Sequence, residues 1–67
     1  MKLFITNKES FEASCDQSKQ AHQNAYSQLL NATSDGNIPI EILTTDCLFQ
    51  FVQIKEQVYF YKFLGTV

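Results

Sequence analysis

Apolar and polar positions change their period twice along the 67 residues. Lys2 to Thr6 is a short apolar run, which predicts a strand with Leu3 and Ile5 on one face and Phe4 on the other. Thr6-Asn7-Lys8-Glu9 fits a capping box, in which a Thr hydroxyl accepts from the third helical amide and Glu reaches back to the cap. Asn7 is a competing cap. From Lys8 to Asn31 there is no Gly or Pro, Ala recurs at 13, 21 and 25, and Glu9, Glu12 and Asp16 sit toward the positive end of a helix dipole. The pattern predicts one long helix, about 36 Å for some 24 residues. Its apolar stripe is Phe11, Cys15, Ser18, His22, Tyr26 and Leu29, with Ala25 and Leu30 at the edges.

After the Ala32 to Asn37 break, where Asp35-Gly36 supplies a turn with positive φ, the period falls to two. Ile38, Ile40 and Ile42 alternate, and Pro39 restricts this strand to an edge or a beginning. Thr44-Thr45-Asp46 interrupts it. Cys47 to Ile54 and Val58 to Leu64 are the next strands, joined by a polar loop at Lys55-Glu56-Gln57. The order β-α-β-β-β predicts one α+β domain over residues 1–67, with a single long amphipathic helix on one face of a small, mostly antiparallel sheet.

The closing hairpin raises a difficulty of parity. A three-residue loop pairs Ile54 with Val58, Val52 with Phe60 and Gln50 with Lys62 on one face, and sets Phe49, Phe51, Tyr59, Tyr61 and Phe63 on the other. Both faces are apolar, and one helix covers only one. The aromatic set Phe49, Phe51, Tyr59, Tyr61 and Phe63 is therefore the candidate interface, since aromatics are enriched where proteins associate and monomers seldom expose large apolar patches. The apolar end, Phe63-Leu64-Gly65-Thr66-Val67, is expected to dock rather than wave in solvent.

Composition and charge narrow the functional classes. All five cations are Lys, the net charge is −2, and no Arg is present, which argues against nucleic acid as a partner, because phosphate binding needs clustered cations and base readout leans on bidentate Arg. No stretch is apolar and long enough to cross a bilayer, and the five residues after Met1 are too short for a secretion leader, so a cytoplasmic location is expected. Cys15 and Cys47 share no motif and are expected as buried free thiols in a reducing compartment.

Candidate chemistry is thin. Cys15 and His22, seven apart on a helix, are separated by about 10.5 Å of rise, beyond hydrogen-bond reach. Ser18 lies one turn from His22 but without a nucleophile elbow around it. Cys15, His22 and Cys47 make three metal ligands where a structural zinc site takes four, and the two glycines cannot build a phosphate loop. The sequence thus predicts no enzyme, no catalytic residue, no metal and no cofactor. It predicts an interaction module, an adaptor, inhibitor or regulatory subunit, whose partner is itself in a homodimer or another protein. The alternative is a small-ligand binder with a pocket between helix and sheet lined by His22 and Tyr26.

Overall fold

A computed structural model describes residues 2–14 and 18–67. It is an α+β fold in which β1 (Lys2–Ile5) leads into α1 (Lys8–Ser14) and α2 (Ser18–Ser34), followed by β2 (Glu41–Leu43), β3 (Cys47–Lys55) and β4 (Val58–Thr66). The expected single long helix is instead two. The interval between them, with Cys15 and Asp16 of the expected stripe and acidic face, lies outside the described residues. The division has a packing rationale: an unbroken helix of about 36 Å would overrun a molecule whose longest extent is 31 Å. Two shorter helices can each bury their own apolar residues on the sheet.

The four strands form a mixed sheet of order β1-β4-β3-β2. β1 runs parallel to β4, with Leu3 opposite Tyr59 and Ile5 opposite Tyr61, while β2–β3 and β3–β4 are antiparallel. β2 is shorter than the isoleucine alternation implies. Pro39 precedes it and contributes only an acceptor, its carbonyl taking the Tyr61 hydroxyl at 2.7 Å; Ile38 and Ile40 remain exposed.

Two bulges break the hairpin register. Phe49↔Phe63, Gln50↔Lys62 and Phe51↔Tyr61 pair as the alternation predicts, but Phe51/Tyr61 is followed by Gln53↔Phe60, so Val52 is an extra residue in β3. Leu48↔Gly65 beside Phe49↔Phe63 makes Leu64 the extra residue in β4, and Gly65 takes φ 138° there, a backbone setting that favours glycine. Beyond the first bulge the faces exchange: Ile54 pairs with Tyr59 and Lys55 with Val58. The loop is therefore the two residues Glu56 and Gln57, at φ 53° and 65°, the positive pair of a type I′ turn.

The core lies between the helices and one sheet face. Leu3, Ile5, Ile42, Phe49, Tyr61 and Phe63 supply the sheet side, and Phe11, Ala21, Ala25 and Leu29 the helix side. Phe11 sets its ring 5.4 Å from Phe49 and 5.5 Å from Phe63, tilted and edge-on arrangements that aromatic quadrupoles favour. The buried stripe of α2 runs through Ala21, Ala25 and Leu29, one position before the expected one; small side chains at the first two let the helix approach the sheet. His22 and Tyr26 are consequently half-buried at its flank, and Leu30 is exposed. α2 ends as the Asp35-Gly36 pair implies: Gly36 has φ 82°, Asn37 N–H donates to Ala32 and Gly36 N–H to Thr33, the paired bonds of a Schellman cap.

Cys47 is fully buried and disulfide-bonded, which corrects the expectation of free thiols. The one other cysteine of the sequence, Cys15, lies outside the described residues. Cys47 Sγ sits 3.3 Å from Asp46 Oδ1, a contact rather than a hydrogen bond, because a disulfide sulfur has no proton to donate. Val67 is 80% exposed even though its N–H reaches the Asp46 carbonyl, so the apolar end docks through its backbone and not its final side chain.

Candidate functional site

The five aromatics expected at an interface all belong to the helix-facing side of the sheet. Phe49 and Tyr61 are 0% exposed and Phe63 5%; Phe51 and Tyr59 are partly buried and pack against the same cluster, with Phe51 edge-on to Tyr61 at 5.6 Å. The structure thus brings all five together, but as the core of the chain itself. Alternation alone left two apolar faces to choose between. Phe11, Ala25 and Leu29 decide it, because the helix side must be met by rings large enough to fill the space above it.

The outer face carries the opposite parity. Phe4 is 51% exposed and stacks against Phe60 with centroids 5.0 Å apart, and the bulge residue Val52 lies 49% exposed. At the other end Leu43 pairs with Leu48, with Leu43 exposed. Between these apolar ends a polar row crosses three strands as Glu41, Gln50 and Lys62.

A second surface lies along β1, on the helix side. Three contiguous depressions, of about 560, 370 and 170 Å³, share His22 as a lining residue. Tyr26 joins His22 in the largest of the three, so the two residues expected at a ligand pocket line one surface depression together. Leu3, Ile5 and Phe11 form the apolar floor of the trough, and Lys2, Lys8 and Lys19 stand around it. Among the described residues Glu12 is the only carboxylate in these linings, and it pairs with Lys8 at 3.7 Å. The three lysines were not singled out from the sequence, because residues 2, 8 and 19 meet only when β1 is folded against α1 and α2.

Among the described residues, no group of three His, Cys, Asp or Glu side chains could hold a metal ion, and no helix is long and apolar enough to cross a membrane. No protein-family model, curated protein or solved structure matches the chain.

Proposed function

We propose that the chain is a non-enzymatic protein-interaction module that pairs with a second copy through the outer face of its sheet. The observation that carries this reading is the outer face itself: both helices pack on the opposite side, leaving Phe4, Val52 and Leu43 each about half exposed or more. Such a face is costly to leave against water when summed over several side chains, at about 25 cal/mol per Å² of apolar area. Its polar row favours a second copy as the occupant. A two-fold axis near Gln50 sets Lys62 of one protomer opposite Glu41 of the other, twice over, which is the self-complementarity that a closed dimer requires. The disulfide at Cys47 weighs toward an oxidising compartment over the cytoplasm.

Solution mass by light scattering over a wide concentration range tests this reading. Wild type is expected to dimerise, Val52→Asp and Leu43→Asp to be folded monomers, and Lys62→Glu to weaken a dimer that Glu41→Lys restores. A wild-type monomer at every concentration up to high micromolar would overturn it.

A second reading, small-ligand binding, is favoured by one observation. The depression beside His22 and Tyr26, about 560 Å³, falls within the range of ligand sites, about 300–1,000 Å³. Thermal-shift screening tests it through a saturable rise in Tm.

A further inference from the structure

We propose that the free edge of β1 takes an acidic peptide segment in extended conformation, adding it to the sheet as a fifth strand. This deepens the interaction-module reading and rests on it, but not on self-association through the outer face.

The first support is the backbone. β1 ends the sheet and its parallel pairing to β4 is continued by Thr6, whose N–H donates to the Tyr61 carbonyl at 3.0 Å. In a parallel ladder one strand's alternate residues bond to a given neighbour. Residues 2, 4 and 6 therefore address β4, and the N–H and C=O groups of Leu3 and Ile5 point away from it, toward the side where no described strand lies. That is the donor and acceptor spacing an added strand uses.

The second support is the contrast between the two edges. At the opposite edge β2 has three residues, and α2 is tied across to it by Gln28 Nε2, which donates to the Leu43 carbonyl at 2.6 Å. Natural sheets guard their edges by such shortening and covering. At β1 the strand has four residues, and the trough lies between it and the helices. Strand side chains alternate, so every second side chain of an added strand enters this trough above Leu3, Ile5 and Phe11, toward His22 and Tyr26.

Charge selects the peptide. Among the described residues, Lys2, Lys8 and Lys19 line the trough with Glu12 as the one carboxylate, although the chain as a whole has net charge −2. A local excess of cations on an acidic protein attracts an acidic segment and repels a basic one. The fitting partner is an extended stretch with apolar residues at alternate positions and carboxylates between or beside them.

The probe is a fluorescein-labelled octapeptide alternating valine and glutamate, read by fluorescence anisotropy and by amide chemical shifts. Binding is expected to shift the Leu3 and Ile5 amides, to weaken as salt is raised, and to fall by about tenfold or more in Lys8→Glu/Lys19→Glu. N-methylation of the peptide at alternate residues leaves the protein untouched: one register should abolish the strand's bonds and cost about tenfold or more, the other little. Val52→Asp, which tests the outer face, should bind the peptide as wild type does. Equal binding of a valine–lysine peptide, indifference to both methylation registers, or no binding by a chain that still dimerises would overturn the proposal. So would Leu3 and Ile5 amides whose exchange protection, without peptide, disappears on dilution, since a second copy would then occupy the edge. A chain that stays monomeric yet binds the peptide would sink only the self-association.

Discussion

The side-chain amide of Asn7 forms both bonds of a missing strand residue with the backbone of Phe63: Nδ2 donates to the Phe63 carbonyl and Oδ1 accepts from its N–H, each at 2.8 Å. β1 has stopped pairing by this point, so Asn7 extends the β4 ladder by one rung and starts α1 with its own carbonyl, which accepts from Phe11 N–H. Its side chain serves the sheet, where the sequence suggested a helix cap. Asn7→Ala is expected to destabilise the chain by about 2 kcal/mol, leaving two partly buried backbone groups without partners. Asn7→Asp should recover little, because a carboxylate can accept from the N–H but repels the carbonyl. Urea denaturation of the three chains measures the order.

The turn at Glu56-Gln57 places two side-chain-bearing residues at positive φ, a setting that costs roughly 1 kcal/mol or more per residue and that Asn-Gly meets at little cost. Glu56→Asn combined with Gln57→Gly should therefore raise stability by about 1 kcal/mol or more, read as a higher Tm with unchanged outer-face and trough properties. A lower Tm would mean that the tip is not a type I′ turn.

Tyr61 carries its phenol into the core. Burial, with Tyr59 adding to it, pushes its phenol up from 10.0 to about 12. The folded chain thus holds this proton more firmly than the unfolded one, so its contribution is complete below about pH 10 and is lost as pH rises toward 12. Alkaline unfolding monitored through phenolate absorbance should show this step. Tyr61→Phe should remove it, at a cost of about 1 kcal/mol at neutral pH for the bond lost to Pro39.

Cys47 should resist alkylation in denaturant until a reductant is added. Cys47→Ser, which removes the bridge and buries a hydroxyl in an apolar core, should destabilise the chain by about 2–5 kcal/mol. Alkylation by mass spectrometry without reductant would contradict the bridge directly.

Apart from the start of β2, the strand positions, the turn at Gly36 and the opposition of Phe4 to Leu3 and Ile5 were legible from periodicity because each depends on residues within a few positions of one another. The division of the helix was not, since Lys8 to Asn31 holds no Gly or Pro to mark a break. The two bulges were equally hidden. Val52 and Leu64 are ordinary strand residues, and a slip of one partner is set by the pairing, not by composition. With both parities of the hairpin apolar, the side that becomes core is chosen by α1 and α2, which is why Phe49, Phe51, Tyr59, Tyr61 and Phe63 read as an interface and fold as an interior. His22 and Tyr26 line one depression because helical spacing places them side by side; the lysines of the trough come from three separate elements and carry no such signal.

The placement of β4 between β1 and β3 makes assembly an end-loaded process. Among the described strands β1 finds its partner more than fifty residues downstream, so a growing chain can coil its helices early and set Leu3 and Ile5 against them but has no strand to pair with β1 until residues 58 to 61 exist. Local contacts cannot lower that loop-closure cost. During synthesis both borders of β1 are bare at once, and the same backbone groups that later point out from the finished sheet are then accompanied by those destined for Tyr59 and Tyr61.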